Sequence, residues 1–269
     1  MKKHAILLSV LMLAIITLQA QTKETRNVDT FTKISFRVPG KLYLRQGSPQ
    51  KLEIQGPKDV LEEVATNVEG SRLVIESKDR KWRWDNDDRV TVYITVKDIE
   101  ALNVGGSGDL IGETKITADD IALNVSGSGN MKVEVEASGD MESDVSGSGN
   151  IELRGKCKSF DSDVSGSGNV VVSLNASSGA SFRVSGSGRI QANGSASEVK
   201  ASITGSGKVL AADLETNSCE VQIAGSGDVE INVKDELNAS ITGSGSVRYK
   251  GNPSKVNSHS AGSGHVRKL

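Results

Sequence analysis

The sequence predicts an all-β protein built as a parallel β-helix, or β-solenoid, with coils of about 20 residues and an irregular, strand-rich N-terminal part. The tripeptide Gly-Ser-Gly occurs nine times between Gly106 and Gly264, at intervals of 18 to 21 residues. Aromatic residues make up only 3% of the chain, although hydrophobic residues make up 36%. A thin aliphatic core of this kind suits a solenoid, and parallel crossovers within one sheet favour a right-handed coil.

Residues 1–20 are predicted to be a signal peptide. Lys2 and Lys3 give a basic start, the run Ala5 to Leu18 is apolar, and cleavage is expected before Gln21. The apolar run is too short to cross a bilayer comfortably. We therefore expect an exported protein, in the periplasm or on the cell surface, with no transmembrane span after signal cleavage.

Residues 28–100 are predicted to form a strand-rich segment that caps or continues the solenoid. Polar and apolar residues alternate from Phe31 to Val38, as expected for a strand with one buried face. Pro57 to Thr66 is the one stretch with helical spacing, since Pro57 suits a first turn and is followed by regularly spaced aliphatic residues.

The segment 78–89 carries Trp82 and Trp84 among alternating charges. Tryptophan is enriched where binding energy concentrates, so one hypothesis makes this segment a binding loop for a sugar or protein partner. The other hypothesis is a hairpin with tryptophan packed over a sheet edge and the charges in solvent. The second is favoured, because no further aromatic cluster adjoins the segment in sequence.

Residues 101–269 form the repeat. Apolar residues two before the tripeptide make one column and those two after it make another, so that like side chains stack on like. The first column contains Val104, Val125, Val145, Val164, Val184, Ile203, Ile223 and Ile241, and the second contains Leu110, Met131, Ile151, Val170, Ile190, Val209, Val229, Val247 and Val266. Ser260 breaks the first column in the last copy, where a terminal coil tolerates a polar residue.

The alternation of apolar and polar residues continues through the tripeptide without interruption. This predicts that both glycines face the core and the serine faces solvent. Where two tripeptides are separated by an odd number of residues, the alternation of inward and outward side chains must shift by one residue elsewhere in the coil. Between Gly147 and Gly166 this shift falls around residues 156–159. The glycines predicted to be structural turn positions are Gly106, Gly108, Gly127, Gly129, Gly147, Gly149, Gly166, Gly168, Gly186, Gly188, Gly205, Gly207, Gly225, Gly227, Gly243, Gly245, Gly262 and Gly264.

The two cysteines, Cys157 and Cys219, lie about three repeats apart. Stacked coils rise roughly 4.8 Å each, so the two sulfur atoms are beyond the reach of a disulfide. We expect two free, buried thiols.

The combination of an N-terminal signal, the opening Phe-x-x-Ile-x-Phe-x-Val of Phe31–Val38 and repeated Val-Ser-Gly-Ser-Gly-Asn/Asp-Ile/Val units resembles the auto-transporter adhesin head GIN domain family. The resemblance covers nearly all of the mature chain. It implies a β-helix-like fold and an exported location in bacteria. The molecular function of that family is unassigned, and the resemblance supplies no catalytic residues.

One polar column precedes the tripeptides and contains Asn103, Asn124, Asp144, Asp163 and Arg183. Two carboxylates one coil apart repel each other unless a cation or a base intervenes. A partial Asp/Arg ladder that contributes to binding is the favoured interpretation, and weak calcium binding is the alternative. No metal site is predicted.

An enzyme is the second functional class, because β-helices also carry polysaccharide-cleaving active sites. The best acid and base group is Asp161, Asp163, Arg183 and Arg189. His259 and His265 form no triad, and terminal surface histidines are commoner than metal ligands. Fold analogy alone supports catalysis, so the chain is predicted not to be an enzyme, with no catalytic residues and no cofactor.

The net charge of −2 argues against nucleic-acid binding, which requires a basic face to neutralise phosphates. The sequence therefore predicts an exported structural or adhesin-like binding protein of the bacterial cell envelope, with an envelope protein or glycan of unknown identity as partner. The alternative is an envelope scaffold that binds a protein partner through residues 78–89.

Overall fold

The computed structural model describes residues 22–79, 81, 83–85 and 89–269. The proposed signal peptide lies outside these described residues. Within them, 21 strands belong to one continuous sheet that winds into a parallel solenoid with coils of about 20 residues. The predicted fold class is therefore confirmed.

Before the regular repeat, the strands are β1 Thr22–Thr25, β2 Lys33–Phe36, β3 Gly40–Gln46, β4 Lys51–Gly56, β5 Val64–Glu69, β6 Arg72–Ser77 and β7 Val90–Val96, with the helix α1 at Lys58–Glu63. The next strands are β8 Ala101–Gly106, β9 Asp109–Gly112, β10 Ile116–Ala118, β11 Ile121–Gly127, β12 Asn130–Ala137, β13 Asp140–Gly147 and β14 Asn150–Gly166. The last are β15 Asn169–Gly186, β16 Arg189–Gly205, β17 Lys208–Gly225, β18 Asp228–Gly243, β19 Ser246–Lys250, β20 Lys255–Gly262 and β21 His265–Lys268.

Each Gly-Ser-Gly is a corner between two parallel stacks of strands. The strands leading into the corners pair in register, as in β8 with β11 and β11 with β13. The strands leaving the corners form a second stack, as in β9 with β12 and β12 with β14. Like residues therefore lie beside like along both stacks, which is the alignment that the repeat predicts.

The N-terminal strands extend both stacks in a different order from the sequence. The coil made by β2 and β3 lies between the coil of β6 and β7 and the coil of β8 and β9. Antiparallel strands then close this end: β5 pairs with β6, β4 with β7, and β1 with β4. The change from parallel to antiparallel pairing marks the end of the solenoid.

Helix α1 begins after Pro57, as predicted, but it ends at Glu63 rather than at Thr66. Val64 adopts an extended backbone with φ −86° and ψ 120° and begins β5, which pairs with β6. Strand pairing therefore takes priority over helical spacing here. The Arg26 guanidinium donates to the carbonyls of Leu61 and Val64 at 2.7 and 2.6 Å, which satisfies oxygen atoms at the end of the helix.

The core contains the two predicted aliphatic columns, whose members are buried apart from the partly buried Val266 of the last coil. Phe160 and Phe182 add one edge-to-face contact, with ring centroids 6.2 Å apart. Cys157 and Cys219 are free and buried, as predicted. Burial raises the pKa of the Cys157 thiol to about 11 and that of Cys219 to about 12, so both remain protonated and unreactive.

Two further predictions about the repeat are confirmed. The register shifts between Cys157 and Ser159, within the range where the parity had to change. Ser260 pairs with Ile241 in the last coil, and every residue of β20 is exposed.

The prediction that both tripeptide glycines face the core is wrong for the first glycine. Gly127 has φ 112° and is exposed. A Cβ atom added there would lie 2.6 Å from the carbonyl oxygen of Gly106 in the preceding coil. The first glycine is therefore required by a positive φ and by close stacking of corners along the solenoid, not by a narrow interior. The alternation breaks at this residue, and each coil turns a corner there.

The second glycine does face the interior. Gly129 is buried, and a Cβ atom there would lie 2.4 Å from the Gly108 carbonyl oxygen and 2.7 Å from a methyl carbon of Val104. The corners also continue the ladder, because the Ser148 N–H donates to the Gly127 carbonyl at 2.8 Å and the Asn150 N–H donates to that of Gly129 at 3.0 Å.

Gly166→Ala should lower the free energy of unfolding by about 2–5 kcal/mol. Overpacking costs about 1–3 kcal/mol, and a positive φ adds about 1–2 kcal/mol for a residue with a Cβ. The matched control is Gly70→Ala, since Gly70 has φ 62° and nothing within 4 Å of an added Cβ, and it should lose only about 1–2 kcal/mol. Urea unfolding followed by circular dichroism measures both, and equal losses would refute the stacked-corner explanation.

Candidate functional site

The predicted polar column is aligned in the structure. Strand pairing places Asn103 beside Asn124, Asn124 beside Asp144, Asp144 beside Asp163, and Asp163 beside Arg183. One guanidinium nitrogen of Arg183 lies 3.1 Å from a carboxylate oxygen of Asp163.

A second carboxylate, that of Asp161, lies 3.9 Å from the Arg183 guanidinium. Both ion pairs are about half exposed, so each contributes little to stability. The column is thus a partial Asp/Arg ladder on an outward face of the solenoid.

Asp144 is half-buried, as are Asn124 and Asp163 on either side of it. Burial raises the pKa of its carboxyl above the usual value, and the neighbouring carboxylates of Asp163 and Glu142 add to the effect, whereas Arg183 opposes it. No cluster of three or more potential metal ligands occurs within the described residues. Arginine already neutralises part of the charge that a cation would otherwise neutralise.

An open trough adjoins this face at the opposite bend of the coils. It has a volume of about 1400 Å³ and is lined by residues of eight successive coils, from Arg72 and Lys33 at the N-terminal end to Ser195. Its floor consists of buried aliphatic or small side chains, namely Ile99, Ala101, Ile121, Ala137, Cys157 and Ala176. Asn124 and Glu142 line the trough and lie on the strands that carry the polar column, so the two features form one continuous surface.

The rim of the trough is acidic. Its carboxylates are those of Asp98, Glu100, Asp119, Asp120, Glu136, Asp140 and Glu142, against three basic residues, Lys33, Arg72 and Lys156. Lys33 lies 3.3 Å from Glu100, and Lys156 lies 3.5 Å from Glu136. Hydrogen bonds hold part of the rim, because the Asp120 carboxylate accepts from the Asp140 N–H at 2.7 Å and that of Asp119 accepts from the Ser138 hydroxyl at 3.2 Å.

The segment 78–89 is described only in part, and Trp82 lies outside the described residues. Trp84 is half-buried and packs against the hydrophobic core. The expected hairpin is wrong, however, because β6 pairs with β2 and β5 whereas β7 pairs with β3 and β4. The segment joins the two stacks of one coil.

Sequence reasoning missed an aromatic pair on the outer face of the second stack. Tyr43 and Tyr93 are neighbours in register, with ring centroids 5.4 Å apart and an interplanar angle of 15°. The Lys23 ammonium lies 5.5 Å from the Tyr93 centroid, and Ile111 is the next residue in register beside Tyr43. The tyrosines stack face to face, so the pair does not offer a broad aromatic platform to a sugar.

An amide ladder follows the tripeptides and was also missed. The Asn130 side chain donates to Asp109 at 2.7 Å, Asn150 donates to Asn130 at 2.8 Å, and Asn169 donates to Asn150 at 2.9 Å. Hydrogen bonding between side chains of neighbouring coils depends on register, which the sequence of one coil does not reveal. The side chains of this ladder hydrogen-bond one another, so the ladder is structural.

The acid and base group considered for catalysis is only partly assembled. Asp161, Asp163 and Arg183 lie together, but Arg189 follows the next corner and pairs in register with Asn169 and Lys208 in the other stack. His259 and His265 lie on β20 and β21, on either side of the last corner. These positions give no observation that favours catalysis over binding.

Comparison with known proteins gives a family and a set of similar folds. The profile of the family described as "Putative auto-transporter adhesin, head GIN domain" matches residues 30–178 and 163–253. A "putative lipid binding protein" from Parabacteroides distasonis is 24% identical with TM-score 0.72, over 93% of this chain and 96% of that one. A "putative adhesin" from Parabacteroides merdae is 23% identical with TM-score 0.73, over 93% and 96%.

A further "putative adhesin", from Bacteroides fragilis, is 21% identical with TM-score 0.52, over 93% of this chain and 97% of that one. These identities establish similarity of fold. A comparison with curated proteins found no match. Among the described residues, no helix has the length and apolar character needed to cross a membrane.

Asp144→Asn should stabilise the protein at pH 7 and not at pH 3. The pKa of Asp144 is raised in the folded state, so its contribution to stability is complete below the unfolded pKa and is lost as the pH rises through the folded pKa. Removing a like charge in a cross-strand pair is worth roughly 0.2–1 kcal/mol. Thermal unfolding at both pH values measures the effect.

Asp163→Asn is the matched control, because it removes the partner of Arg183 as well as a charge beside Asp144. It should show a smaller gain at pH 7 or none. Equal stabilisation by the two variants would contradict the distinct roles of these carboxylates.

Proposed function

Since the chain belongs to the auto-transporter adhesin head GIN domain family, we propose that it is an exported, non-enzymatic binding protein of the bacterial cell envelope, with the trough as its binding surface. The observation that carries this proposal is an open concavity of about 1400 Å³ along one flank of a rigid solenoid. Concave surfaces with an apolar floor and a polar rim are where proteins bind ligands.

Export is supported by the signal-like pattern of residues 1–20 and by family membership. Parallel ladders fix the backbone of every coil, so the trough is preformed and a partner does not have to order it on binding. The partner would be an envelope protein or a glycan. The segment 78–89 is the competing surface, although Trp84 is engaged with the core.

A steric block tests the trough without assuming the chemistry of the partner. Ser138→Trp together with Ser177→Trp places bulky side chains at two exposed lining positions. Capture of envelope proteins and glycans by immobilised protein should fall at least tenfold, because the side chains occupy the space a partner needs. Quantitative mass spectrometry and a glycan array measure the captured material.

The matched control is Ser128→Trp together with Ser167→Trp, at exposed corner serines away from the trough, which should leave capture within about twofold of the native protein. Replacing residues 79–88 with a Gly/Ser linker tests the competing surface. Capture that survives the block and is lost with the linker would reject the trough and support the loop.

A further inference from the structure

We infer that the trough binds an extended, positively charged polypeptide segment. This inference deepens the proposed function and rests on it. Three properties of the trough together favour such a ligand. The trough is elongated along the solenoid axis, it has a narrow cross-section with an apolar floor, and its rim carries an excess of carboxylates without ion-pair partners.

The dimensions of the trough fit one extended chain. Lining residues come from eight successive coils, and seven steps of about 4.8 Å span about 34 Å, which accommodates about ten extended residues at roughly 3.3 Å each. Dividing about 1400 Å³ by that length gives a mean cross-section of about 40 Å². One strand in stacked sheets occupies about 48 Å², from spacings of about 4.8 and 10 Å.

The charge of the rim selects a cationic ligand. Within the described part of the chain, five rim carboxylates have no ion-pair partner, namely Asp98, Asp119, Asp120, Asp140 and Glu142, against one basic rim residue without one, Arg72, which leaves an excess of four negative charges. The whole chain carries a net charge of only −2, so this concentration of negative charge is local. A concave surface lined by one sign of charge attracts the opposite sign and accelerates its association.

The same rim disfavours the other ligand classes. Nucleic acids and acidic glycans would be repelled by the carboxylates. A neutral glycan usually stacks on an aromatic face, and the residues lining the trough include no aromatic side chain. The floor of alanine, isoleucine and cysteine instead accommodates the aliphatic stems of lysine or arginine, whose charged ends reach the rim.

The charge is also unevenly distributed along the trough. The acidic residues belong to three central coils, with the basic Arg72 and Lys33 at one end of the trough, and Lys156 followed by Asn175, Ser177 and Ser195 toward the other. The basic residues of the ligand should therefore concentrate in the middle of the bound segment.

A synthetic ten-residue peptide of alternating Lys and Ala, labelled with a fluorophore, is the probe. Fluorescence anisotropy with the full chain should show saturable binding at low salt, weakened at 150 mM salt by screening. The triple variant Asp98→Asn, Asp140→Asn and Glu142→Gln should weaken binding at least tenfold. These substitutions preserve shape, and none of the three side chains makes a hydrogen bond within the described residues.

The matched control neutralises three exposed acidic residues outside the trough, Glu69→Gln, Glu134→Gln and Glu220→Gln, and should stay within about twofold of the native affinity. Equal weakening in both triple variants would show attraction to net charge alone and would overturn the inference. Absence of saturable binding at low salt, or equal binding of a Glu/Ala peptide, would do the same.

The two proposals fail separately. If the Lys/Ala peptide does not bind but the Ser138→Trp and Ser177→Trp block abolishes envelope capture, the trough remains the binding surface and the class of partner is wrong. If the block has no effect on envelope capture, the proposed function itself fails.

Discussion

The structure depends on how closely successive corners approach one another. At each corner the first glycine of one tripeptide rests on the carbonyl of the same glycine in the preceding coil, as Gly147 does on Gly127. The following serine N–H donates to that carbonyl, at 2.8 Å from Ser148. A side chain at the first glycine would separate the coils and break the ladder on both sides, so this contact sets the spacing that the aliphatic columns then fill.

Much of this architecture is encoded locally and can be predicted. Parallel, in-register stacking places each residue beside its counterpart one coil away, so the columns of Val125 and Met131 could be read from a single repeat length. The orientation of Gly127 could not be predicted from the sequence. Reading the alternation of side chains assumes an extended backbone and carries no information about a positive φ. The insertion of β2 and β3 between later coils was also hidden, since it depends on pairing between distant segments.

Part of the candidate site can likewise be predicted from the sequence, and part cannot. The column of Asp144, Asp163 and Arg183 follows from repeat spacing, and the structure aligns it. The trough does not follow from repeat spacing, because its walls belong to eight coils and its concave shape depends on where the distal bends lie, including the register shift beside Cys157. Rigid backbone ladders hold these bends, and variable residues such as Asp98 and Asp140 give them their charge. The repeated geometry of the coils and the particular chemistry of the trough are thus separate features of one chain.

Amide hydrogen exchange at the corner serines tests the stacked-corner account most directly. Ser128, Ser148 and Ser167 are exposed, yet each donates its N–H to a glycine carbonyl of the preceding coil at 2.8 Å. The account predicts slow exchange at these amides, comparable to that of the adjacent strands. Fast exchange, as in an unstructured loop, would contradict it.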